Sequence, residues 1–123
     1  MSFAREKSLA PMTVVVLDAR GASKAFAAED ATPLRRADIA IGKAHGALAM
    51  GVNSRALQAR AEQQPYFVVA ATLAVGGSLT PVPGGVLVQN VQKQTAGAVG
   101  VTGDTSDNDE AAAFASLAAV NLM

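Results

Sequence analysis

The segment from Gly97 to Gly103, GAVGVTG, together with the acidic stretch after it, constrains this chain more than any other feature. Glycine recurs at every third position of an apolar run. Glycine weakens a strand unless something must come close to its backbone, and the apolar residues between these glycines, on both faces, read as a strand in the interior of a sheet. Four carboxylates come next within seven residues, Asp104, Asp107, Asp109 and Glu110, and then an alanine-rich tail. Asp107 stands three residues ahead of Glu110, the spacing of a capping box in which both side chains take backbone N–H groups at a helix start. Acidic side chains also suit the positive end of a helix dipole. This reading occupies Asp107 and Glu110. Asp109, one helical step of ~100° from Glu110, is left without a backbone partner and free to face a ligand.

The rest of the chain supplies neighbours for such a strand. Residues 2–9 suit a short helix that Pro11 ends. Residues 12–18, MTVVVLD, are apolar on both faces and read as a strand covered on both sides. ARG at 19–21 is a turn, and ASKAFAA returns as a second strand. Thr32 and Pro33 have the cap and first-position chemistry of a helix start. Leu34, Ala37, Ile41, Ala44, His45 and Leu48 then share one helix face, and Gly51 stops it. Ser54 is placed to cap a polar helix that Pro65 breaks, and residues 65–75 read as a short buried helix. Residues 79–82, 86–91 and 95–102 read as three further strands. From Asp107 a last helix places Phe114, Leu117, Ala118 and Leu122 on one face. Residues 1–123 thus form a single α+β domain: five mostly antiparallel strands, with Val14–Leu17 and Ala98–Val101 in the interior, between layers of helices.

Composition removes several kinds of chemistry. The 123 residues contain no cysteine, which excludes disulfides and thiolate metal sites. The formal net charge is zero, so nothing draws the chain to nucleic acid or anionic lipid. No segment offers the ~18–20 continuous apolar residues that span a bilayer, and the first ten residues lack an apolar signal core. The expectation is a cytoplasmic protein without nucleic-acid or membrane partners. Residues 1–60 hold nine Lys or Arg against five Asp or Glu, and residues 61–123 hold one against five. That asymmetry predicts a homo-oligomer, a dimer or larger, whose basic half meets the acidic half of another copy.

Few residues carry candidate chemistry. His45 lies on the apolar face of the long helix, either as a hydrogen-bonded core residue or as a proton-handling or ligating group; histidine titrates nearest neutrality. Lys43, two residues earlier, points about 160° away on a helix, and is either ion-paired or the holder of an anionic group. Gly42 and Gly46 leave a bare groove, for close packing or for a flat ligand. A phosphate cradle conflicts with the four carboxylates, and the acidic stretch lacks the spacing of a calcium loop. No metal site is expected, and no serine stands in a nucleophile-elbow context.

VVVLDARG at 14–21, IAIGKAHGAL at 39–48, PVPGGVLV at 81–88 and GAVGVTGDTSDNDEAAA at 97–113 resemble, in order and spacing, the GlcG/HbpS-like family, also called haem-degrading or haem-binding-uptake proteins. The matching positions are Asp18 and Gly21, Lys43 and Ala44, Pro83, Gly84 and Gly85, then Gly97, Gly100 and Gly103 with Asp109 and Glu110. The resemblance covers nearly the whole chain. It implies a profilin-like three-layer α/β/α fold, small symmetric oligomers and, in some members, haem. It points to Lys43, Gly84, Gly85, Gly103 and Asp109 as ligand-binding residues.

Three functions are open on this reading. The first is a small-molecule-binding domain taking haem or a related flat anionic ligand. The second is a cofactor-independent enzyme of proton-transfer, isomerase or lyase/hydrolase type, with His45, Asp109 or Glu110 moving protons and Lys43 holding an anion. The third is an accessory structural subunit.

Overall fold

The structure, a computed structural model, describes residues 2–119. In chain order the elements are α1 (Ser2–Glu6), β1 (Thr13–Asp18), β2 (Ser23–Ala28), α2 (Arg36–Met50), α3 (Ser54–Gln63), α4 (Pro65–Ala74), β3 (Gly85–Gln89), β4 (Thr95–Thr102) and α5 (Ser106–Ala119). The strands form one antiparallel sheet in the order β2-β1-β4-β3. The two β-branched or glycine-rich runs, β1 and β4, occupy its centre, as the two-sided apolar pattern requires.

Strand alternation sends side chains to two cores. Val15, Leu17 and Ala98 pack against Ala40 and Ala44 of α2. Val86, Val99 and Val101 pack on the other face with Ala4 of α1 and Ala112, Ala113 and Leu117 of α5. The glycine spacing in β4 reflects this stacking. A Cβ at Gly100 would overlap the carbonyl of Ala40, so α2 sits directly on the strand backbone. A Cβ at Gly97 would overlap the carbonyl of Leu17 in β1.

The sheet has four strands among the described residues, not five. Residues 79–82 form no strand because Pro81 and Pro83 offer no N–H to a ladder. The segment lies along α2 instead. Thr80 donates its N–H to Gly42 O at 3.1 Å, and Leu79 covers Gly46. The bare groove of Gly42 and Gly46 is therefore filled by the chain's own loop.

Three boundaries also differ. Helix α2 starts at Arg36 rather than at Thr32-Pro33, since Arg36 N–H closes a turn onto Pro33 O at 3.2 Å. Leu34 is consequently 91% exposed and off the buried face. Helix α3 is preceded by Asn53, and Ser54 turns inward to β3. Helix α4 forms where expected, with Pro65 in its first turn, but buries only Val68. Tyr66, Val69 and Leu73 face outward. In α5, Phe114 and Leu117 pack on the sheet; the side chains of Ala118 and Leu122 lie outside the described ones. No helix among the described residues is long and apolar enough to cross a membrane.

Candidate functional site

Helix α2 carries Lys43 and His45 two residues apart, and the helical turn sends them to opposite sides. Their surroundings differ accordingly.

Lys43 is 1% exposed. Its Nζ donates to Val101 O at 2.9 Å and to Asp109 Oδ2 at 3.0 Å. The other carboxylate oxygen of Asp109 accepts the N–H of Asp104 at 2.9 Å. The turn before β3 closes over the lysine. A Cβ at Gly84, whose φ is +129°, would stand 2.8 Å from Lys43 Nζ, and one at Gly85 would overlap the Lys43 carbonyl. Ser54 Oγ pins that turn by accepting Gly85 N–H at 2.8 Å. The lysine of the helix, the Pro-Gly-Gly turn and the acidic helix start thus meet in one buried cluster. Burial pushes the Lys43 ammonium below its usual pKa, and the Asp109 charge opposes that push.

The acidic stretch does other work than expected. Asp109, expected to lack a partner, is buried and bonded through both oxygens. Asp107 and Glu110 are not the caps of α5. That role falls to Thr105, whose Oγ1 accepts the Asn108 N–H at 3.2 Å. Asp107 and Glu110 grip Arg55 of α3 instead, at 2.6 and 3.0 Å. Hydrogen bonds to Glu110, then Asp107, hold the Arg55 guanidinium firmly protonated. Asp104 accepts from Ala10 N, Thr105 N and Asn108 Nδ2 at 2.8, 2.9 and 2.7 Å. These bonds, that from Ala10 foremost, lower its pKa to about 2. Gly103, at φ +153°, lets this turn pass against Pro11 and Met12. Among the described residues no three His, Asp or Glu side chains are grouped to hold a metal ion.

His45 faces the other way and is half-buried. Its Nδ1 lies 2.7 Å from Ser78 O. A carbonyl only accepts, so in the neutral ring Nδ1 carries the proton and Nε2 keeps its lone pair. The ring borders an open groove of about 150 Å³ lined by Ala19, Arg20, Gly21, His45, Leu48 and Ala49. The groove's far wall is the β1–β2 turn. Asp18 Oδ1 fixes that turn by accepting the N–H groups of Arg20 and Ala22 at 2.9 and 3.0 Å, bonds that hold the Asp18 carboxyl below its usual pKa, Ala22 first. Arg20 makes no ion pair among the described residues. Sequence reading misses both Arg20 and the Ser78 carbonyl. The signal for Arg20 is present: an Asp-Ala-Arg-Gly turn at a strand end presents the arginine at its tip.

Lys43, Gly84, Gly85 and Asp109 are therefore brought together, with Gly103 and Glu110 on the adjoining α5 start, whereas His45 stands apart from them.

The haem degrading protein HbpS-like family matches residues 1–118. No curated protein sequence matches the chain. Among solved structures, a PduOC:heme complex superimposes with a TM-score of 0.87 at 22% identity, covering 99% of this chain and 86% of that one. Klebsiella pneumoniae protein ORFY gives 0.86 at 23% identity, over 99% and 82%. A double mutant of Streptomyces reticuli HbpS gives 0.79 at 24%, over 97% and 77%. At these identities the structural likeness is one of fold.

Proposed function

This chain belongs to the haem-degrading HbpS-like family, and from that premise we propose that it is a small-molecule-binding domain that takes haem or a related flat anionic ligand at the His45 groove. One observation carries the proposal: the Ser78 carbonyl fixes the proton on Nδ1 and leaves Nε2 as a lone-pair donor on a ring that lines the same groove as Arg20. The donor set fits haem, whose iron takes an imidazole nitrogen and whose carboxylates suit a guanidinium fork. The groove of about 150 Å³ is below the ~300–1,000 Å³ of common ligand pockets, so this face holds one edge of such a ligand. His45 would hold the metal and Arg20 a carboxylate. Haem, when bound, supplies the redox-active iron. Lys43, Asp109, Gly84, Gly85 and Gly103 serve as the frame that seats α2 on the sheet, with Glu110 tying α5 to α3 through Arg55.

Titration with haemin tests this. The parent protein develops a defined Soret band, and His45→Ala loses it, with affinity falling at least about tenfold. A parent without the band, or an unchanged band in His45→Ala, overturns the proposal.

A second reading rests on the same lone pair. Without iron, Nε2 is a general base and Arg20 an anion holder, the elements of proton transfer on a small carboxylate. It predicts no Soret band, but His45-dependent deuterium uptake by a probe such as pyruvate in heavy water.

Self-association, dimer or larger, belongs to the proposal as well. It is supported by the charge asymmetry of the two halves and by exposed Phe26 on β2 and Tyr66, Val69 and Leu73 on α4. A monomer mass of 12.4 kDa by light scattering at micromolar concentration would contradict it.

A further inference from the structure

A second groove lies where the end of α2 meets α3 and α4. It has a volume of about 280 Å³, and its walls include Met50, Val52, Leu57 and Phe67, with Gln63 and Arg60 as polar members. It shares no lining residue with the His45 groove. Arg60 sits over the Phe67 ring, its Cζ 3.7 Å from the centroid, and its Nε donates to Gln64 Oε1. Stacking on one side and a hydrogen bond at Nε hold the guanidinium in place. Its remaining four N–H donors, all on the Nη nitrogens, have no hydrogen-bond or ion-pair partner among the described residues.

A fixed guanidinium with a free Nη edge matches the two oxygens of a carboxylate, and little of its rotamer freedom is left to lose on binding. The walls beside it are apolar. The geometry points to a binding site for an apolar monocarboxylate, an aliphatic chain of medium length whose carboxylate sits on Arg60 and whose body lies along Met50, Val52 and Leu57. Charge complementarity favours this occupant over a neutral apolar one, which would exchange no water on the exposed guanidinium for a carboxylate. The volume, just below that of ordinary ligand pockets (~300–1,000 Å³), suits a small molecule and not a folded partner. The site is independent of the proposal for His45.

The probe is octanoate, titrated into the full chain and followed by calorimetry and by backbone amide shifts. Saturable binding is expected, with shifts concentrated at Val52, Leu57, Arg60 and Phe67. Arg60→Gln, an exposed substitution whose unchanged melting confirms the fold, lowers affinity at least about tenfold. Ala56→Leu, which fills the groove, abolishes binding by occupying the space. Octanol, with the same chain and no charge, binds as weakly to the parent as octanoate does to Arg60→Gln. Haemin does not displace octanoate, and His45→Ala leaves octanoate binding unchanged. Five results overturn the inference: no saturation up to the solubility limit, equal affinity in Arg60→Gln, equal affinity for octanol, shifts centred on His45, or displacement by haemin.

Discussion

Lys43 and His45 sit two residues apart on one helix, yet they teach opposite lessons about polar side chains in a core. Lys43 is sealed and satisfied: a carbonyl, a carboxylate and a glycine turn enclose its ammonium. His45 is half-open, with one nitrogen committed to Ser78 and the other to nothing among the described residues. A buried charge is kept by what surrounds it, and it costs stability when a partner goes. A half-open imidazole keeps one ring nitrogen without a protein partner among the described residues, the one to which the proposed ligand role is given. The same helix therefore has an enclosed side and a half-open side, set by the ~200° between the two positions, and the proposed function falls on the half-open one.

The comparison breaks most visibly at the lysine. Lys43→Ala leaves Asp109 buried without its cation, and urea melts are expected to show a loss of about 3–5 kcal/mol. The pair of changes Lys43→Met with Asp109→Asn, which removes both charges and keeps an acceptor for the Asp104 N–H, recovers most of that loss. If Lys43→Ala melts like the parent, the cluster is not a structural lock and Lys43 returns as a ligand-binding candidate. Next in size is Gly100→Ala. Its methyl would press on the Ala40 carbonyl, lifting α2 from β4 at a cost of about 1–3 kcal/mol. It would disturb both sides of the helix together, unlike Lys43→Ala.

A smaller, pH-dependent effect belongs to Asp104. Its folded pKa of about 2 lies below the ordinary value of 3.8. The carboxylate therefore contributes stability in full above pH ~4, and that contribution is lost as pH falls from there toward 2. Asp104→Asn removes this dependence. Acid titrations of the two proteins should diverge above pH ~4 and converge between there and pH ~2; parallel curves would contradict the assignment.

Much of the scaffold is legible in the sequence, because strand runs and helix stops are local signals. The bounds of β4 and the central places of β1 and β4 come from two-sided apolar runs and from glycine where backbones touch. The expected fifth strand fails because Leu79, Thr80 and Val82 have strand character, while the prolines between and after them decide the outcome. The acidic stretch is the least legible part. Its capping-box spacing is real, but Arg55 and Lys43, which claim Glu110 and Asp109, lie 55 and 66 residues away in the chain. No local pattern announces such a partner. Helical periodicity does separate Lys43 from His45, though it cannot show which of them is enclosed.

The proposed division of α2 into a structural and a ligand-facing side is tested most directly by the nitrogen-15 spectrum of the His45 ring, correlated to its carbon-bound protons. In the neutral form the ring is expected to carry its proton on Nδ1, with a pyridine-like Nε2 that shifts when haemin or a small carboxylate is added, while the Lys43 ammonium signals stay in place. A ring protonated at Nε2, or an Nε2 signal indifferent to both ligands, would contradict it.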